Sequence, residues 1–111
     1  MKVKAMWYSV NLLFEGVHPS QPAEENLWEE SIRVIQADNE DAAINIASEA
    51  ARKNEVTFKT VNADEVRWRF VKVERVFEIG DEPVGSGREV FSRFLRASEV
   101  KSLLTPFEDA A

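Results

Sequence analysis

Apolar and polar residues alternate along much of this chain, and the longest alternating stretch is Val66 to Phe77, VRWRFVKVERVF. It is rich in β-branched and aromatic residues and has no Gly or Pro, which predicts the central strand of an antiparallel sheet. Val66, Trp68 and Phe70 point one way, Arg67 and Arg69 the other. After Phe70 the phase slips: Val71, Val73 and Phe77 take the apolar role, while Lys72, Glu74 and Glu78 are charged. A slip of one residue exchanges the two faces of a strand. The pattern therefore predicts either a β-bulge that bends the strand at Phe70-Val71 or a transfer of apolar residues from one sheet face to the other. In both cases the sheet has two partly buried faces.

The same periodicity places the other elements. Lys2 to Glu15 reads as a first strand, with Met6, Tyr8, Val10, Leu12 and Phe14 on an apolar face and Trp7, Ser9, Asn11 and Leu13 on a mixed one. Gly16 to Asn26 is a loop broken by Pro19, Pro22 and Gly16. Leu27 to Ala37 is a second strand, with Trp28, Ile32 and Val34 sharing one parity. Asp38 or Asn39 caps a helix that ends near Lys53, with Glu40 and Asp41 at its positive end, Arg52 and Lys53 at its negative end and Asn54 as a left-handed terminator. Its apolar face is Ala43, Ile46, Ala47 and Ala50, flanked by Ile44 and Ala51, and is too small to fill a layer without large sheet side chains. Glu55 to Thr60 is a short strand with Val56 and Phe58 inward, joined to the central strand by a tight turn at Asn62-Ala63-Asp64. Gly80 to Gly87 is a flexible loop. Arg88 to Arg96 is a last strand, and Ser98 caps a short helix from Glu99 to Leu104.

The order is β-β-α-β-β-β with a terminal helix. This is an α+β fold: a strongly bent antiparallel sheet of four to five strands, one main helix on one face and a short C-terminal helix. Residues 1–97 form the domain, and 98–111 a short helix and tail. A helix of ~14 residues spans ~21 Å and covers about three strands on one side. The tryptophans and phenylalanines are spread over both faces, and burying one aromatic is worth roughly 2–3 kcal/mol. An uncovered apolar face marks an interface. Either the sheet curls on itself or a second copy covers it, and a two-fold dimer is the expectation.

Composition narrows the chemistry. With 111 residues, 44% hydrophobic and 31% charged, the chain fits one ordinary globular domain. Its 20 acidic and 14 basic residues give a net charge of −6, which disfavours phosphate backbones and anionic membranes. Arg67, Arg69, Lys72, Arg75, Arg88, Arg93 and Arg96 interleave with aromatics, as on a single-stranded nucleic-acid platform. They are matched by Glu65, Glu74, Glu78 and Glu89, so opposite charges across strands are the preferred explanation and no nucleic acid is expected. There is no cysteine, which removes thiol chemistry and fits a reducing cytoplasm. Lys2 and Lys4 imitate a signal peptide, but Tyr8, Ser9 and Asn11 interrupt the apolar run. No stretch reaches the ~18 apolar residues of a membrane span. The one histidine, His18, sits in a loop with no partner near it in sequence. Glu29 and Glu30 are strand neighbours on opposite faces and cannot act as a dyad. The glycines of GDEPVGSG lack the spacing of a phosphate loop. Neither a cofactor nor a metal site is expected.

The segments MWYSVNLLFE, ESIRVIQADNEDAA, VRWRFVKVERVFEI and GREVFSRFL resemble the small bacterial domain-of-unknown-function 4288 family over about residues 5–97. The likeness rests on a WYSV-type strand, an A-x-x-x-x-A helix start, a tryptophan-bearing strand and an EVFS strand. Asn62-Ala63-Asp64 stands where a glycine would be expected in the turn. The resemblance implies bacterial origin and a small α+β fold, assigns no activity and carries over no site residue. The expected function is a non-catalytic binding or assembly module that self-associates through a sheet face. The alternatives are an immunity-type protein neutralising a basic toxin partner, and a small-ligand binder or enzyme with a sheet-face pocket. Tyr8, Asn11, Arg67, Trp68, Arg69 and Glu89 are the candidate pocket or interface residues.

Overall fold

A computed structural model describes residues 5–62 and 64–105. The elements run β1 (Met6–Val17), β2 (Leu27–Ala37), α1 (Glu40–Lys53), β3 (Val56–Lys59), β4 (Glu65–Gly80) and α2 (Ala97–Leu104), with a 3-10 turn at Ala23–Glu25 ahead of β2. The sheet order is β2-β1-β4-β3, all antiparallel, so β1 and β4 share its centre.

The sheet curls into a half-barrel, and β4 shows why. Its register on β1 shifts three times. Leu13 pairs with Lys72 and Phe14 with Phe70, leaving Val71 as the extra residue, the bulge the phase slip predicts. Glu74 and Ile79 are skipped in the same way. Each bulge bends its strand and adds twist, so three in one strand curl the sheet around α1.

Residues paired across antiparallel strands share a face. The inner face carries Tyr8, Val10, Leu12 and Phe14 of β1 and Phe70 of β4, with Trp68, Val73 and Val76 packed against them. Ala43, Ala47 and Ala51 of α1 lie on this layer. Phe14 and Phe70 meet edge to face at 5.8 Å, and the Arg52 guanidinium sits over the Phe70 ring at 5.7 Å. Alanine at every fourth position brings the helix close, and the aromatics of the sheet fill the volume it leaves. The Asn39 side chain accepts the Ala42 N–H at 2.8 Å as N-cap.

Several expectations need correction. The buried stripe of α1 is rotated towards one flank: Ile46 and Ala50 are exposed, the flanking Ala51 is buried, and Ser48 is buried with it. Asn54 is not left-handed, with φ −95°; the helix closes through its N–H on the carbonyls of Ala51 and Arg52. Val56 and Phe58 are exposed, because β3 is a four-residue edge that α1 does not cover. β1 runs on through Gly16 to Val17; Lys2 and Lys4 lie outside the described residues, as does Ala63 of the predicted tight turn, which the Thr60 N–H closes on the Asp64 carbonyl at 2.8 Å.

The largest difference is Arg88 to Arg96, which forms no strand. Gly80, at φ 137°, turns the chain off β4, and the Arg88 guanidinium donates to the Ile79 carbonyl. Phe91 then packs edge to face on Phe77 at 6.0 Å. Beyond it every described residue is exposed, and the chain leaves the sheet. α2 starts at Ala97, so Ser98 lies within it; Glu99 accepts the Arg96 N–H at 2.9 Å in place of a serine cap.

Candidate interaction surface

The outer face, away from α1, is set by the odd-numbered residues of β1. Ser9 and Asn11 are 0% exposed at its centre, between the strips contributed by β2 and β4. Asn11 Nδ2 donates to Glu30 Oε2 at 3.0 Å, whereas Asn11 Oδ1 and Ser9 Oγ are buried without a hydrogen-bond partner among the described residues. The register puts Val34 opposite Ser9, Ile32 opposite Asn11 and Trp28 opposite Glu15. β2 is an edge strand, so these three remain 43%, 46% and 48% exposed and form an apolar strip that Glu30 interrupts between Ile32 and Trp28. Trp7 and Leu13 beside them are half-buried.

At the β4 side Arg67, Arg69 and Arg75 are engaged within the fold. Arg69 Nη2 donates to Glu15 Oε1 at 3.1 Å, and Asn26 Nδ2 to Glu15 Oε2 at 3.0 Å, which ties the first loop to the sheet. Arg75 lies 3.6 Å from Glu74. Glu55 accepts the Phe70 N–H at 2.9 Å and Arg67 Nη2 at 3.3 Å, where the β3 ladder ends. Those contacts, the backbone N–H first, hold the Glu55 carboxyl below its ordinary value against a smaller opposing effect of burial.

The candidate residues do not converge. Tyr8 and Trp68 belong to the inner face, while Asn11, Arg67 and Arg69 lie on the outer one. Glu89 is exposed on the segment after β4. Burial, with help from Glu78 and Glu40, pushes the Tyr8 hydroxyl above its usual value, so it stays protonated at neutral pH. Trp68 alone of the six lines a cleft, of about 260 Å³, between α1's C-terminal end and the two sheet edges, with Phe14, Glu29, Arg33, Asn54 and Val56. Among the described residues no group of three or more His, Asp or Glu side chains could hold a metal ion, and no helix is long and apolar enough to cross a membrane.

The model of the family described as Domain of unknown function (DUF4288) matches residues 7–92. The chain belongs to that family. No curated protein and no solved structure matches it.

Two features of this DUF4288 chain were hidden in the sequence. His18 is half-buried, with Nε2 3.6 Å from Asp64 Oδ2 and Nδ1 accepting the Ser20 N–H at 3.2 Å. Ser20 Oγ donates to Asp64 Oδ1 at 3.3 Å. Serine, histidine and aspartate thus meet, but not as a nucleophile relay. In a relay the imidazole bridges hydroxyl and carboxylate; here the carboxylate holds both, and Nδ1 is occupied by the main chain. The cluster fastens the first loop to the β3–β4 turn. Asp64 is remote from both partners in sequence, so only the fold reveals the contact.

The second feature is a C-terminal arm. The family match ends at residue 92, and the packed body ends there too: Ser92 to Thr105 are all exposed. Phe94 is 105% exposed, and Val100, Leu103 and Leu104 stand in solvent on α2. The radius of gyration is 17.3 Å and the longest dimension 57 Å, against ~13 Å expected for the radius of a compact 100-residue domain.

Proposed function

We propose that this domain is a non-catalytic assembly module that self-associates through the outer face of its sheet. The observation that carries the reading is the Trp28, Ile32 and Val34 strip, an apolar surface at the edge of a face whose centre is already dry. Exposed apolar surface of this kind on a sheet face marks protein contacts. The six candidate residues, divided between two faces and a loop, support no shared catalytic pocket. Sedimentation equilibrium tests the reading. The expected mass is twice the 12.6 kDa of the chain, falling to one chain for Trp28→Ala. A strict monomer at high concentration overturns it.

A second reading, a small-ligand site, rests on the cleft beneath α1, where Phe14 and Trp68 form an apolar floor and Glu29 and Arg33 a charged rim. Its volume lies just under the ~300 Å³ at which ligand pockets begin. Quenching of Trp68 fluorescence by a zwitterionic small molecule, lost in Arg33→Ala, would support it; no quenching across a library of such compounds would remove it.

A further inference from the structure

Each chain carries two apolar surfaces that do not meet. One is the strip on β2. The other is the arm, where Phe94 and Leu95 precede α2, and Val100, Leu103 and Leu104 recur at helical spacing along it. α2 has eight residues and buries none of them. Isolated helices shorter than ~12–15 residues are marginal in water, so its helical form and its apolar stripe both call for a surface to lie on.

We infer that residues 93–105 of each chain lie across the Trp28–Val34 strip of a second copy, a reciprocal exchange of arms that builds the dimer. The inference rests on the self-association reading and specifies its geometry. Charge favours this occupant. The arm has three basic residues, Arg93, Arg96 and Lys101, against one acidic, Glu99, in a chain of net charge −6. Three exposed carboxylates lie at the strip, Glu30 within it and Glu24 and Glu25 in the turn that leads into β2, whereas Glu29 is on the other face. Area favours it as well. Taking ~150–250 Å² for a fully exposed aromatic side chain and less for an aliphatic one, arm and strip together present roughly 800 Å² of apolar surface per chain, about one partner's share of a standard interface. Two-fold exchange satisfies both surfaces of both chains at once, because residue i meets j and j meets i. The hinge is in place: Phe91 is anchored on Phe77, and the chain leaves the body directly after it.

The chain has no cysteine, so introduced ones report without background. Ile32→Cys and Leu103→Cys chains, each made singly, are mixed and mildly oxidised. The expected product is an interchain 32–103 disulfide, and the double variant Ile32→Cys/Leu103→Cys gives covalent dimers. Leu103→Asp/Leu104→Asp in the full chain is expected to weaken dimerisation at least about tenfold while the circular dichroism of the body is kept. A dimer of undiminished affinity in that variant, with 32–32 links in place of 32–103, overturns arm exchange but leaves sheet-face pairing standing. Disulfides closing within single chains of the double variant overturn the exchange by showing that the arm folds back on its own strip. A monomeric parent chain overturns both readings.

Discussion

Glu55 shows how one side chain completes a sheet that runs out of strand. β3 ends its pairing at Val56 opposite Trp68, and the next inward N–H of β4, on Phe70, meets the Glu55 carboxylate in place of a carbonyl. The hydrogen bond favours the ionised form, so the folded-state pKa lies below the ordinary 4.5. A lowered carboxyl pKa contributes stability that is present above the unfolded-state value and is lost as pH falls through the folded one. Glu55→Gln should therefore lower the thermal midpoint at pH 7. The gap to the parent should close as the pH falls through the lowered folded-state value, below which both side chains are neutral. Thermal melts across this range check the sign. Asn11 and Glu15 belong to the same scale: each is a polar group carried inside by the alternation of β1, and each is bonded across the sheet, Asn11 to Glu30 and Glu15 to Arg69. Nothing in β1's own residues names those partners, since they come from strands far along the chain.

Among the elements, α1 was the most legible. Its cap, its charged ends and its limits follow from DNEDAA and ARKN, and the structure reproduces them. Which alanines face the sheet did not follow, because two neighbouring stripes satisfy the same 3.6-residue period; the aromatics of β1 and β4 choose between them. The 43–47–51 stripe makes a prediction. Ala47 is almost fully buried against the sheet, and enlarging it forces the helix away. Ala47→Leu should cost about 1–3 kcal/mol and lower the thermal midpoint by several degrees. Ala50→Leu, on the exposed side, should leave the midpoint nearly unchanged. The bulge at Val71 was equally legible, since an exchange of faces within one uninterrupted strand has few physical causes. The strand expected from Arg88 to Arg96 was misread for a related reason: its β-branched and aromatic residues fit an interface as well as a ladder, and local preference does not distinguish them.

For the whole molecule, the outcome is a half-barrel closed on α1 at one face and bordered by an apolar strip at the other, with an arm whose described residues are all exposed. Trp68 is packed on the core, while Trp7 and Trp28 lie on the outer face, so one helix does not shelter all three tryptophans. If the arm docks on a second copy, its cleavable residues should become protected with concentration. Trypsin should cut after Arg93, Arg96 and Lys101 readily in dilute protein and more slowly above the dimer dissociation constant, whereas cuts within β4, after Arg67, Arg69, Lys72 and Arg75, stay rare at both. A cleavage rate at the arm that does not depend on concentration would count against docking.

What the sequence by itself determined is whatever depends on spacing along the chain: three of the strands to within a few residues, the helix and its N-cap, the bulge, the family, and the surplus of aromatic surface. Those follow from side-chain period and local hydrogen bonding, which act over a handful of residues. Only the tertiary structure decided which stripe of α1 is buried, that His18 meets Asp64, that the six candidate residues are divided between faces, and that Phe94 and the α2 stripe stand clear of the body. Each of these turns on which distant segment arrives opposite a given side chain, and three bulges in one strand are enough to change that answer for the whole sheet.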